Sequence, residues 1–262
     1  MTSLRKLREK YLAGEKLVVL TGYDALMSSL LAEAGVDVIL VGDSLSNVIA
    51  GYPNTLPVNM EQMLWHVQMT VRGAKGTPVI ADMPFLSYEV STEQALVNAG
   101  RFIKEAGADA VKLEGGRSAY PVIQALTAAH IPVCGHVGLQ PQSVLTTGGY
   151  SVQGRTEEEA ARIKADALAV QEAGAFAVVL EMVPAKLAEE ITASLKIPTI
   201  GIGAGPHCSG QVLVTQDLLG MTEAKLKIAK RYAELRREAL EALTNYVSDV
   251  KEGRTPSEEN SF

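Results

Sequence analysis

Cysteine is nearly missing from this chain: 262 residues carry two, Cys134 and Cys208, without CxxC spacing. A disulfide framework is thereby excluded as the source of stability, and both are expected to be small, partly buried thiols. Basic residues are also in short supply, 24 against 30 acidic ones for a net charge of −6, and no Lys/Arg cluster interrupts that balance. A nucleic-acid partner would find nothing electrostatic to grip, so small molecules are the expected ligands. No apolar run reaches the roughly 18 residues of a membrane span, and the polar opening, Met1 to Lys10, lacks the apolar core of a signal peptide. A cytoplasmic protein with no membrane partner is expected.

What is present is 47% hydrophobic and 21% charged. That is a globular balance, and the length suffices for one large α/β barrel or two smaller domains. Ser3 to Ala13 reads as an amphipathic helix with Leu4, Leu7, Tyr11 and Leu12 on one stripe, stopped by Gly14. Leu17 to Thr21 is a first apolar strand, and Asp24 is placed to cap a helix from Ala25 to Ala34. Then a unit repeats. Glu-Ala-Gly occurs at Glu33 to Gly35, Glu105 to Gly107 and Glu172 to Gly174, each time just before an apolar run, as where a helix ends and a strand begins. Between these lie runs that open on proline, Pro78-Val-Ile, Pro132-Val-Cys and Pro198-Thr-Ile, and proline is tolerated at the first residue of a strand.

The two kinds alternate, predicting eight strands at 17–21, 36–42, 78–82, 110–114, 132–136, 177–181, 198–202 and 212–215. Helical periodicity fills the intervals at Met60 to Val71, Glu93 to Lys104, Glu158 to Val170 and Ala185 to Leu195. This pattern predicts an α/β fold, a (β/α)8 TIM barrel occupying 1–262 as a single domain. A doubly wound open sheet is the alternative, but Gly201-Ile-Gly203-Ala-Gly205 follows a late strand and does not match its dinucleotide fingerprint. A long charged helix is expected from Lys225 to Val250, covering the barrel or contacting a second subunit, before a polar tail at 252–262.

The central stretch Ala110 to Gly116, Ala-Val-Lys-Leu-Glu-Gly-Gly, puts Lys112 and Glu114 on one face of a strand expected to be covered on both sides. Such charges are either a structural ion pair or part of a site. The neighbouring strands favour a site. Asp43, Asp82, Lys112 with Glu114, His136 and Glu181 fall at the ends of the second to sixth strands, where barrels of this kind build their active sites. Carboxylates without Cys or paired His suit a hard cation such as Mg2+, with Asp43 and Asp82 as ligands, while a lone His136 is a poor zinc site and a better donor to a substrate oxygen. Glu181 is then a candidate base beside a polarised carbonyl, and Lys112 a cation for an enolate. Imine formation at Lys112 is the rival role.

At these residues the chain resembles the ketopantoate hydroxymethyltransferase family over nearly its whole length. The matching stretches are Val41-Gly-Asp-Ser-Leu45, Thr55-Leu-Pro-Val58, Ala81-Asp-Met-Pro-Phe85, Val111 to Gly116, Gly135-His136 with Pro141-Gln-Ser143, Gly148 to Gly154, Leu180-Glu181 with Val183-Pro184, and Ile200 to Gly205. The resemblance implies a barrel in which Asp43 and Asp82 hold Mg2+ and Glu114 helps from the metal's water shell. It further implies that Ser44, Lys112 and His136 contact the keto acid 3-methyl-2-oxobutanoate, with Asp43 and Asp82 reaching it through the metal, and that Glu181 removes its C3 proton. 5,10-Methylenetetrahydrofolate would be the co-substrate, 2-dehydropantoate the product and a homodecamer the assembly. The chain departs from the family pattern at Ser46-Asn47, Gln140, Met182, Gln216 and 221–230, none of them a proposed catalytic position. Another Mg2+-dependent carbon-carbon lyase or aldolase of the same superfamily acting on a 2-oxo acid is the alternative. An isocitrate-lyase-like enzyme would want a Lys-Lys-Cys-Gly-His loop, which the chain does not contain. A catalytically silent barrel would have little use for six ionisable groups at its strand ends.

Overall fold

The computed structural model describes residues 3–224 and 226–262. The chain divides into two compact units, Met1–Leu213 and Val214–Phe262. In the first, eight parallel strands hydrogen-bond in sequence order and close on themselves, β8 to β1. The strands are β1 (Leu17–Thr21), β2 (Val38–Val41), β3 (Val79–Asp82), β4 (Ala110–Lys112), β5 (Val133–Gly138), β6 (Ala177–Glu181), β7 (Thr199–Ile202) and β8 (Gly210–Leu213). The main helices between them are α2 (Ala25–Glu33), α4 (Met60–Gly73), α5 (Thr92–Lys104), α6 (Tyr120–Ala128), α8 (Glu157–Glu172) and α9 (Ala185–Ser194), with single turns at α3 (Leu45–Val48) and α7 (Val144–Thr147). This is the expected (β/α)8 barrel.

Alternation along each strand explains the long apolar runs. Leu17, Val19, Val38, Leu40, Ile80, Ala110, Cys134, Ala177, Val179, Ile200 and Val212 fill the barrel, while Ile39, Val41, Val79, Val111, Val133, Val178 and Leu180 turn outward under the helices. Both faces of the sheet are therefore buried. Helix α1 (Ser3–Leu12) puts Leu7 into the inner cluster, with Leu4 and Tyr11 packed beside it, and so closes the N-terminal end of the barrel. Lys10 holds it there through Asp37 Oδ1 at 2.6 Å, and Asp37 Oδ2 accepts from the Val18 amide at 2.9 Å.

The repeated punctuation has a structural counterpart. Gly35, Gly107 and Gly174 end their helices in the left-handed region, at φ +82°, +77° and +98°. Pro78, Pro132 and Pro198 stand one residue before their strands, donating nothing, yet their carbonyls accept from Ile39, Val111 and Val178 of the preceding strand. Asp24 caps α2 through Met27 at 2.8 Å.

Some boundaries differ from the sequence reading. β4 stops at Lys112, leaving Glu114 beyond it, and β5 continues to Gly138, placing His136 inside the strand. β8 begins at Gly210 instead of residue 212. A side chain there would lie 2.5 Å from the Leu17 carbonyl, so a residue that reads as a turn is the one β1 can pair against.

In the second unit, α10 (Thr215–Leu218) precedes a looped segment, and α11 runs from Leu235 to Lys251. The expected start at Lys225 is wrong for the described residues, and Lys225 itself lies outside them. Tyr232 and Leu235 donate their amides to Leu218 and Leu219, and Arg231 binds the carbonyls of Thr222 and Ala224, so the segment is held in a loop. None of α11 is buried in this unit, and Leu240, Leu243, Val247 and Val250 form an exposed apolar stripe. Among the described residues no helix is long and apolar enough to cross a membrane.

Candidate active site

The C-terminal ends of β2 to β6 carry the polar groups. Register pairs Asp82 of β3 with Lys112 of β4, and the Lys112 ammonium donates to both Asp82 oxygens at 2.7 Å. Lys112 thus has its partner on the neighbouring strand, not in Glu114 on its own. Asp43, two residues past β2, donates its backbone amide to Asp82 Oδ2 at 3.2 Å. Its carboxylate accepts from Gln142 Nε2 at 3.1 Å. Glu114 accepts through Oε2 from the Gln142 amide at 3.1 Å, and its own amide donates to the Tyr88 hydroxyl at 3.2 Å.

His136 stands between two carboxylates. Its Nδ1 lies 3.4 Å from Glu114 Oε1 and its Nε2 lies 3.2 Å from Glu181 Oε2. Neither contact is aligned as a hydrogen bond, so both ring nitrogens and Glu114 Oε1 are buried polar atoms without a hydrogen-bond partner. Glu181 is the exception to the burial, with 18% of its side chain exposed toward solvent. The turn after β5 locks it in place: Gly138 adopts φ +96°, and the Leu139 amide donates to the Glu181 carbonyl at 2.9 Å. Ser44 turns to the Tyr23 hydroxyl at 2.8 Å and is half-buried.

Burial dominates the electrostatics. It pushes Asp43 up to about 6, helped by the Glu114 charge and opposed by Lys112, Gln142 and His136. It also pushes Asp82 up to about 6, although Lys112 pulls the other way. Lys112 itself is driven up despite burial, because Asp82, Glu114 and Asp43 together outweigh the desolvation. One ammonium shared among three carboxylates keeps its own proton firmly without fully compensating any one of them. For His136, burial and the Lys112 charge press downward, but Glu114 and Glu181 outweigh them and raise it to about 9.

A family model for ketopantoate hydroxymethyltransferase matches residues 1–258 of the sequence. The chain belongs to this family. Among its relatives, the 3-methyl-2-oxobutanoate hydroxymethyltransferase of Trichlorobacter lovleyi is 56% identical over 250 residues, covering 95% of this chain and 94% of the relative. That of Moorella thermoacetica is 51% identical over 263 residues, covering 100% and 97%. Ketopantoate hydroxymethyltransferases are one-carbon transferases of the pantothenate pathway, so the chain is a transferase. Among solved structures, phosphonopyruvate hydrolase in complex with oxalate and Mg++ superposes with a TM-score of 0.66 at 16% identity, over 99% of this chain and 93% of that one. The 2,3-dimethylmalate lyase of the PEP mutase/isocitrate lyase superfamily gives 0.63 at 17% identity, over 100% and 89%. Both likenesses are of fold.

Within this cluster, the donor set fits a hard divalent cation. Three buried carboxylates, Asp43, Asp82 and Glu114, face one buried ammonium, Lys112, which leaves negative charge uncompensated. Glu114 Oε1 is orphaned beside them. Among the described residues no group of three or more Asp, Glu, His or Cys side chains is gathered tightly enough to hold a metal alone. Mg2+ does not ask for one: it commonly takes one or two carboxylates and keeps water or substrate oxygens for the rest. Two further polar residues reach into the cluster that the sequence reading did not assign, Gln142 and Tyr88, both buried. Their positions in loops after β5 and β3, on the same end of the barrel as Asp82, were the available signal.

Proposed function

We propose that the chain joins the methylene carbon of 5,10-methylenetetrahydrofolate, with water, to 3-methyl-2-oxobutanoate as a hydroxymethyl group, giving 2-dehydropantoate and tetrahydrofolate, with Mg2+ as its metal. The observation that supports this best is the group of buried atoms in ionic contact but without an aligned hydrogen bond, Glu114 Oε1 and both ring nitrogens of His136, next to partly exposed Glu181. Buried polar atoms are rarely left orphaned unless something else is to meet them. Asp43 and Asp82 would hold Mg2+, with Glu114 reaching it through water. When bound, the cation supplies the positive charge that anchors a 2-oxo acid and makes its keto group a better electron sink.

The chain's own residues do the rest. Glu181 takes the C3 proton at its carboxylate, the one site carboxylate open to solvent and so able to pass that proton on. Lys112, fixed by two hydrogen bonds to Asp82, presents its charge to the oxygen that becomes the enolate. His136, held between Glu114 and Glu181, donates to the same substrate, and Ser44 contacts it from the loop after β2. The enolate carbon then bonds to the one-carbon unit. The two bonds from that carbon to the folate nitrogens break, water supplies the hydroxyl oxygen, and the proton taken from C3 together with the water protons leaves on tetrahydrofolate and the product hydroxyl. Imine chemistry at Lys112 would need a neutral amine, whereas its surroundings retain the proton.

The exposed stripe of α11 supports a homo-oligomer, the homodecamer of the family, since monomers rarely leave such a row uncovered. Free buried cysteines and the acidic charge are in keeping with the cytoplasm. The test is direct. Purified protein with 3-methyl-2-oxobutanoate, 5,10-methylenetetrahydrofolate and Mg2+ should form 2-dehydropantoate, and should stop on addition of EDTA. Absence of product with the complete mixture would remove this reading.

A further inference from the structure

Four strand ends meet on one uncharged residue. Gln142 lies in the 3-10 turn Pro141–Ser143 after β5 and is 5% exposed. Its Nε2 donates to Asp43 Oδ2 at 3.1 Å and to the Met83 carbonyl at 3.0 Å. Its Oε1 accepts from the Tyr88 hydroxyl at 2.9 Å. Its backbone amide donates to Glu114 Oε2 at 3.1 Å. Tyr88 completes the ring by accepting from the Glu114 amide at 3.2 Å.

The orientation of this amide is not arbitrary. Two acceptors face one end and a hydroxyl faces the other, so only one of the two flips satisfies all three contacts. Tyr88 is the device that enforces it. Its oxygen is engaged by the Glu114 N–H, its proton must go to Gln142 Oε1, and Nε2 is thereby turned to Asp43. Asp43 and Glu114 are like charges that repel across this gap, and Gln142 inserts an N–H toward each.

We propose that Gln142, oriented by Tyr88, is a positioning residue that sets Asp43 and Glu114 as a pair for the cation. One N–H pins one oxygen of each carboxylate, fixing its rotamer and turning Glu114 Oε1 toward His136 Nδ1, 3.4 Å away. This rests on the function proposed above. Groups that orient metal-binding carboxylates typically account for about 10- to 100-fold in metal affinity.

The test uses Gln142→Met, near in size and without the side-chain donor to Asp43 but keeping the backbone amide to Glu114, Tyr88→Phe, and the two combined, each in the full chain. Mg2+ affinity is measured by calorimetry without folate, alongside melting temperature and steady-state kinetics. Gln142→Met should weaken Mg2+ binding and raise the KM for the keto acid, each by about 10- to 100-fold. With both Mg2+ and keto acid saturating, its C3 exchange should fall by a smaller factor than its Mg2+ affinity, because Glu181 and Lys112 are untouched. Tyr88→Phe should act in the same direction by a smaller factor, and the double variant should resemble Gln142→Met instead of showing the product of the two losses. If Gln142→Met does not fold, Tyr88→Phe alone must still weaken Mg2+, and unchanged affinity there overturns the proposal. A lower melting temperature with parental Mg2+ affinity would reduce Gln142 to a packing role, also overturning it. A parent that binds no Mg2+ and makes no product would bring down the proposed function and this inference together, whereas a working parent matched by its variants would bring down only this one.

Discussion

Removing the Lys112 ammonium tests whether the barrel mouth is held together by its own charges. Lys112 is 4% exposed and Asp82 1%, and the two Nζ contacts at 2.7 Å leave Asp82 with only the Asp43 amide besides. Lys112→Met keeps the length and bulk of the side chain but strands a carboxylate in the barrel. Breaking one side of a buried pair costs about 3–5 kcal/mol. At roughly 2–4 °C per kcal/mol for a unit of this size, melting should fall by roughly 6 to 20 °C in metal-free buffer. The companion variant Asp82→Asn/Lys112→Met removes both charges while Asn keeps an acceptor for the Asp43 amide, so it should recover most of that loss while remaining inactive. Calorimetric melts of the parent and both variants in EDTA supply the comparison. A single variant melting within about 2 °C of the parent, or a double variant no better than the single, would refute the picture of a desolvated pair.

Other outcomes follow from the same geometry. Asp82→Asn alone should weaken Mg2+ and keto acid binding together, read by titration of each; an unchanged Mg2+ titration would take Asp82 out of the site. Glu181→Gln should still bind both, yet exchange deuterium into C3 of 3-methyl-2-oxobutanoate without folate more slowly by about 10² to 10⁴. Parental exchange with failure only in product formation would move Glu181 to the folate step. Borohydride added with the keto acid should leave no mass increment on Lys112, and a trapped adduct would make the mechanism an imine one. Gly138→Ala places a Cβ 2.3 Å from the Glu181 carbonyl at φ +96°, so it should destabilise by about 2 kcal/mol or more and slow the C3 exchange; a silent variant would show that this turn does not fix Glu181.

The barrel was legible because a doubly covered parallel strand writes itself as an unbroken apolar run, and because Pro78, Pro132 and Pro198 and the three Glu-Ala-Gly segments punctuate those runs. The six ionisable residues stood out for the complementary reason, as charges breaking apolar stretches at one end. Gln142 and Tyr88 carried no such mark. An uncharged polar side chain in a loop obeys no period, and its burial depends on four strand ends meeting, which is a tertiary fact. The start of α11 was misplaced for a related reason. Leu226, Tyr232 and Leu235 continue a helical spacing with no Gly or Pro to break it, whereas the hydrogen bonds from Tyr232 and Leu235 back to Leu218 and Leu219, and from Arg231 to Thr222 and Ala224, hold the chain in a loop.

Helix α1 at the far end of the barrel bears on the order of events. Leu7, the apolar layers above it and the small apolar cavity beneath Lys112 make an apolar floor under the charged cluster. Glu181, with 18% of its side chain exposed, marks the open side of the cluster, and a reactant entering there and seated deepest would arrive first and depart last. On the function proposed above, a keto acid seated among the carboxylates would be trapped for as long as the larger folate lay over it. Steady-state patterns should therefore be those of compulsory order, and an excess of the outer reactant should choke the reaction by covering an empty well.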